Sequence, residues 1–172
     1  YNVQFATTCE SRIIVGVDVT NQGGDSGQMG PMVEQIEQDH GQLPEEYLTD
    51  AGFSSREDTT RLEQKGVRVY SPIKNAEKIA AEGSDPYARR RGDSDEYYAF
   101  RQRMATDQAR KIYKERASPP ESPNAGCRNR GLHQFRVRGL KKVHIAAVWQ
   151  ALAHNLLMIR HHGWLAKFYP TS

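Results

Sequence analysis

Apolar and polar positions alternate at the start of the chain. From Tyr1 to Thr8, Val3, Phe5 and Thr7 fall on one side; from Ile13 to Val19, Ile13, Val15, Val17 and Val19 do. A period of two belongs to a half-buried strand, and Cys9-Glu10-Ser11 between the runs predicts a β-hairpin. A loop, NQGGDSG (21–27), follows. The period then changes. Met29, Met32, Val33 and Ile36 recur at i, i+3, i+4 and i+7, which predicts an amphipathic helix ending near His40-Gly41.

A second pattern begins at Tyr47. The run Tyr47 to Asp50 predicts a short strand, and Val67 to Tyr70 predicts another, closed by Pro72. Between them, Ser55 with Asp58 three residues on resembles a capping box, so a helix is expected from about Ser55 to Lys65, stopping at Gly66. Strand, helix and strand in so short a span form a βαβ unit, whose two strands are parallel. Residues 75–96 are polar and predict an exposed loop or a weak helix. A helix is expected from about Asp95 to Arg116, with Tyr98, Arg101 and Ala105 on one face and Ile112 and Arg116 on another. Prolines and glycines punctuate 118–131, which reads as irregular. A last long helix starts near Gly139. Leu140, Val143, Ala147, Ala151 and Leu152 line one face, widened by Val148, Leu156 and Ile159.

Length and composition narrow the class. The chain has 172 residues, 37% hydrophobic and 26% charged, enough for one domain with a real core. No run approaches a membrane span, and no signal-peptide pattern opens the chain. Tyr1 already lies inside a strand pattern, so a fragment with an upstream part missing is expected. Cys9 and Cys127 form no CxxC pair, and a reducing cytoplasm fits them best. The net charge of +3 hides an uneven distribution. Residues 1–88 carry 7 Lys and Arg against 15 Asp and Glu, while 89–172 carry 17 against 6. A basic half interleaved with Tyr, Phe and His points to nucleic acid; a basic solvated helical surface is the plainer alternative.

Two carboxylates stand out. Asp50 closes a strand just before Gly52, where parallel α/β sheets gather ligands; an ordinary turn aspartate is the alternative. Glu121 stands alone among prolines and basic residues. Tyr113 and Arg116 precede it, one helical turn apart, and Arg128 lies seven residues past it. A carboxylate in basic surroundings is what two-metal phosphoryl transfer needs, since carboxylates hold Mg²⁺ and cations hold phosphates. A surface ion pair with Arg116 or Arg128 is the alternative.

The order LTDAGF, a βαβ unit, YKERASPPESPNAGCRNRGLHQFRVRGLKKV and WQALAHNLL resembles the C-terminal part of a bacterial insertion-sequence transposase with a DDE catalytic domain. TNQGGDSGQMGPMVEQ resembles that family's segment between its third strand and first helix, so the resemblance spans nearly the whole chain. It implies an α/β, RNase H-like mixed sheet flanked by helices, here N-terminally truncated. The chain is then a single partial catalytic domain over 1–172: a sheet with a βαβ unit (1–74), a polar insertion or loop (75–96) and a basic helical part with the Glu motif (97–172). The resemblance maps the second catalytic Asp onto Asp50 and the Glu onto Glu121, both as metal ligands. Tyr113, Arg116 and Arg128 match its signature as phosphate- or DNA-binding residues. It implies Mg²⁺ or Mn²⁺, with two ions in the complete domain. The expected partners are double-stranded DNA, as element ends and target, and further copies of the chain. No membrane is expected, and the setting is the bacterial cytoplasm.

The chain departs from the family in two ways. The first catalytic Asp belongs on the first strand, and no residue here fits; Asp18, late in the third strand, is the tempting substitute. Four residues separate Arg116 from Glu121 where many relatives have three, and Pro119 and Pro120 oppose a continuous helix through Glu121. The implied reaction is metal-dependent hydrolysis at element ends followed by strand transfer. The alternatives are an inactive DNA-binding remnant and an RNase H-like nuclease outside transposition. RNRGLHQFRVRGLKK offers the best DNA contacts, through Arg128, Arg130, Arg136, Arg138, Lys141 and Lys142. Asp25 reads as a cap or loop residue, and His144 and His154 as packing or surface histidines. His161-His162 reads as a polar helix end, and Trp149 and Trp164 as core or docking residues.

Overall fold

A computed structural model describes residues 1–24, 26–117, 123–129 and 134–164, with the backbone alone at 115–117 and 124. In chain order the elements are β1 (Asn2–Thr7), β2 (Ile14–Thr20), α1 (Met29–His40), β3 (Glu46–Leu48), α2 (Arg56–Gln64) and β4 (Arg68–Tyr70), then α3 (Ala76–Ala81), α4 (Asp95–Ala105), α5 (Asp107–Ala117), α6 (Pro123–Cys127) and α7 (Leu140–His161). The protein is mixed α/β. Its described strands form two two-stranded sheets, β1-β2 and β3-β4. The chain divides into two compact units, one of Tyr1–Gly23 with Pro119–Ser172 and one of Gly24–Ser118.

In the first unit β1 and β2 pair antiparallel, as the alternation predicts, but the phase of β2 differs. Ala6 pairs with Gly16 and Thr7 with Ile14, so Val15 is an extra residue. This bulge re-aims the strand. Ile14 and Val17, three apart, therefore share a core with Cys127, Ala147 and Ala151, flanked by Val3, Phe5 and Val19. Ile13 and Val15 do not join that face. Helix α7 covers the hairpin and also bonds its backbone. Asn155 Oδ1 accepts from Ile14 N (2.8 Å) and its Nδ2 donates to Ile14 O (2.9 Å), as a neighbouring strand would. His144 donates to Val17 O at 3.1 Å, His154 to Arg12 O at 2.8 Å and His162 to Ser11 O at 3.1 Å, each from Nε2 because a carbonyl only accepts. The face of α7 that packs is Val143, Ala147, Ala151 and His154. Leu140, Val148, Leu152 and Leu156, expected on the buried face, are exposed.

In the second unit β3 and β4 pair parallel, Tyr47 opposite Val69, around α2. The cap is as expected: Ser55 Oγ accepts from Asp58 N at 3.0 Å. Gly66 takes a φ of +85°, the left-handed conformation that ends a helix. Arg68 and Tyr70 bond toward β3, through Arg68 N to Glu45 O (2.9 Å) and Thr49 N to Tyr70 O (3.0 Å). Val69 faces the other way. Glu63 Oε1 accepts from its N–H at 2.8 Å, and Arg103 donates to its carbonyl at 3.1 Å and also pairs with Glu63. The core is Met29 and Val33 of α1, Leu62, Val67, Val69, Tyr70 and Ile73, with Phe100, Met104 and Ala109.

The expected helix over 95–116 is two helices. Thr106 leaves the helical region (φ −76°, ψ 145°). Its hydroxyl donates to Arg103 O at 2.7 Å and accepts from Ala109 N at 3.1 Å, so one side chain caps both ends of the break. The buried face of α4 is Phe100, Arg101 and Met104; Tyr98 and Ala105 are only half-buried. The polar stretch 75–96 holds the short helix α3, and Asp93 anchors its end: the wholly buried carboxylate pairs with Arg101 (3.1 Å) and Arg56 (3.2 Å) and accepts from Arg90 N (2.9 Å). Within 118–131, expected to be irregular, Pro123–Cys127 is helical. Asp25 lies outside the described residues.

Candidate functional site

Asp50 sits two residues past the end of β3, at the C-terminal edge of the parallel pair. The strand is shorter than expected, but Thr49 still bonds Tyr70, so pairing runs up to Asp50. The side chain builds the turn. Oδ1 accepts from Gly52 N (2.8 Å) and Phe53 N (3.1 Å), and Gly52 is close enough that an added Cβ would lie 3.1 Å from that oxygen. This is an Asx-type turn. The Asp50 carbonyl accepts from Ser71 Oγ at 3.2 Å and from Ser54 N at 3.4 Å. The carboxylate is therefore held at a fixed angle yet lies on the exposed rim. Ser71, fully buried at the end of β4, was not singled out from the sequence. Its place at the end of the second parallel strand was the signal that could have found it.

Tyr113 on α5 is the second candidate residue found here. It packs against the core, as do Tyr47, Leu48 and Ile112. Burial raises its hydroxyl pKa above the ordinary value, and the negative charge of Asp50 raises it further. Both causes keep the phenol protonated. Arg116 lies one turn further along α5, described by its backbone alone. Glu121 and Arg130 lie outside the described residues.

The other candidates belong to the first unit. Arg128, Arg136, Arg138, Lys141 and Lys142 are exposed. The approach to α7 is pinned at Gly139, whose N–H donates to the Tyr1 hydroxyl at 2.8 Å, while Tyr1 meets Phe135 edge-on at 6.1 Å. Arg136, Arg138, Lys141 and Lys142 thus project from one anchored segment at the start of a helix. Asp18 accepts from Val19 N at 2.7 Å, which gives its carboxylate a local backbone partner. Cys9 is exposed and Cys127 buried, and no disulfide joins them.

Asp50 fits one ligand of a hard divalent ion, since it offers carboxylate oxygen on an exposed rim. Among the described residues no three His, Cys, Asp or Glu side chains come together as a metal site. The described residues thus supply one donor of a set, not the set. No helix among them is long and apolar enough to cross a membrane.

No curated protein and no solved structure matches the chain. Residues 90–160 match the family described as Transposase DDE domain, a stretch from five residues ahead of α4 to the last turn of α7 that contains Tyr113, Arg116, Glu121 and Arg128 and omits Asp50, and this match supports a transposase.

Proposed function

We propose that this chain is a single partial DDE-type transposase catalytic domain over 1–172, RNase H-like in architecture and lacking the first catalytic Asp, from a protein that hydrolyses and transfers DNA strands at insertion-sequence ends. A divalent ion, Mg²⁺ or Mn²⁺, would supply Lewis-acid stabilisation of the reacting phosphate. Asp50 and Glu121 are the chain's own oxygen donors for it. Asp50 is aimed by the Gly52 and Phe53 amides, so little reorganisation is needed to present its carboxylate. Tyr113, kept neutral, is a hydroxyl donor that feels the charge of that carboxylate. Arg116 and Arg128 hold phosphate, and Arg136, Arg138, Lys141 and Lys142 follow the DNA backbone, with Arg130 among them.

The observation that carries the reading is that α5, which bears Tyr113, packs on β3, the strand that leads to Asp50. Asp50 lies outside the segment that matches the transposase family and Tyr113 lies inside it. That packing ties the strand with the carboxylate at its end to the matched helix.

Iron-directed cleavage tests this without requiring turnover. Fe²⁺ replaces Mg²⁺ in the purified chain, ascorbate and peroxide are added, and the cut sites are mapped. Backbone cuts near residues 50 and 121, competed by Mg²⁺ and lost in Asp50→Asn and Glu121→Gln, are expected. Cuts confined elsewhere, or unchanged in both variants, would remove the catalytic reading.

A further inference from the structure

Helix α7 has a second apolar face. Toward the hairpin it turns small residues, Val143, Ala147 and Ala151, all buried. Its large residues face away: Ile145 is 50% exposed, Trp149 66%, Leu152 46% and Leu156 56%. With half-buried Ile159 these follow one another at spacings of four, three, four and three. That is the spacing of a coiled-coil seam, and it spans about 21 Å of helix at 1.5 Å per residue. A helix apolar on all sides is normally covered on all sides. The seam is wider than scattered surface leucines, because Val148 and Leu157 flank it, 44% and 43% exposed.

The charges beside the seam identify what covers it. The sequence of α7, LKKVHIAAVWQALAHNLLMIRH, contains no Asp or Glu. Lys141 and Lys142 stand at one end and Arg160 at the other, while Ala146, Val148 and Ala153 between them are uncharged. A second copy would bring like charges together in either orientation. In parallel pairing the lysines meet lysines; in antiparallel pairing they meet Arg160. Both arrangements are repulsive. We infer that the Ile145–Trp149–Leu152–Leu156 face of α7 docks an amphipathic helix of a partner protein whose apolar seam is bordered by Asp and Glu.

The test uses the whole chain carrying Trp164→Phe, so that emission reports Trp149. Two synthetic four-heptad peptides serve as probes, both with Ile and Leu on the seam, one with Glu and the other with Lys at the flanking positions. The Glu peptide is expected to bind and shift Trp149 emission to the blue, and the Lys peptide to bind at least tenfold more weakly. Leu152→Glu, at an exposed position that leaves the fold intact by circular dichroism, should weaken the Glu peptide by about tenfold or more, the loss expected of a central apolar anchor. Equal binding of both peptides would overturn the acidic partner. A chain that sediments as a dimer, and becomes monomeric in Leu152→Glu, would make a second copy the occupant. Emission already blue in the free monomer, with neither peptide binding, would mean that the chain covers this face itself.

Discussion

Asp50 builds a turn and is a proposed metal ligand, and one pair of substitutions divides the two. Asp50→Asn keeps an Oδ1 that can accept from Gly52 N and Phe53 N, at 2.8 and 3.1 Å in the parent, but removes the charge. Asp50→Ala removes both. The two bonds lie on an exposed rim, where each is worth about 0.5–1.5 kcal/mol net. The alanine variant should therefore lose about 1–2 kcal/mol, and the asparagine variant less than about 0.5. Thermal melting separates these, since about 1 kcal/mol moves the midpoint by several degrees in a unit of this size. Tyr113 gives an independent readout. Its hydroxyl is raised first by burial and then by the Asp50 charge, so both variants should lower its pKa without returning it to 10, because burial remains. Ultraviolet titration, corrected with Tyr113→Phe, measures that shift. Iron-directed cutting near residue 50 should disappear in both variants. An asparagine variant that keeps the cuts would show that Asp50 is a turn residue alone. A Tyr113 titration unmoved by either variant would refute the electrostatic link between the two residues.

Three further outcomes follow from the packing and charge. Asp93→Asn leaves Arg101, 4% exposed, without its partner in a site where the carboxylate is fully buried, and should cost about 3–5 kcal/mol in urea unfolding; a loss below about 1 kcal/mol would mean that water reaches the pair. Burial raises the Tyr47 pKa to about 12 from 10, so the folded state holds that proton more tightly than the unfolded chain. The associated stability is complete below pH 10 and is lost between pH 10 and about 12, by at most about 2.7 kcal/mol. Tyr47→Phe should flatten that alkaline loss, leaving the smaller contributions of Tyr70 and Tyr113, and an unchanged pH profile would contradict it. Replacing exposed Arg136 and Arg138 with Ala should weaken binding to all DNA sequences alike and flatten the slope of log K against log salt by up to about 2, with melting unchanged. Lost melting temperature with an intact slope would show that these arginines hold the protein together instead.

The parts of this fold that local chemistry decides were readable in advance. Ser55 caps α2, Gly66 ends it, and two short apolar runs flank it, so the βαβ unit and its parallel pairing follow from neighbouring residues. Methionines and branched residues at helical spacing fixed α1. The failures have a common cause. Thr106 is a weak breaker by itself, and splits the expected helix only because its hydroxyl satisfies both ends. Val15 continues an alternating run, so nothing local marks it as a bulge. The apolar positions of α7 fill more than one face, and periodicity alone does not say which face is covered. At the candidate site, Asp50 was legible as a carboxylate at a strand end. That its charge would reach Tyr113 was not, because the two residues sit on separate elements with no shared pattern.

The same limit explains several polar residues that look like site candidates on the page. His144 and His154 could be read as ligands awaiting a metal, but each donates to a carbonyl of the hairpin segment, and Asn155 grips both backbone groups of Ile14. In the other unit, Glu63 and Arg103 hold the N–H and the carbonyl of Val69. A two-stranded sheet leaves outward backbone groups that cannot be buried unpaired. Here helices supply the partners from their side chains, so polar residues on helices are committed to the fold. Asp50 differs. Its turn bonds fall on Oδ1, its carboxylate is exposed, and it takes part in none of the ion pairs among the described residues. A negative charge fixed in direction and without a cationic partner among the described residues is suited to receive a cation. Structural bookkeeping therefore removes the histidines from the candidate site and leaves Asp50 in it.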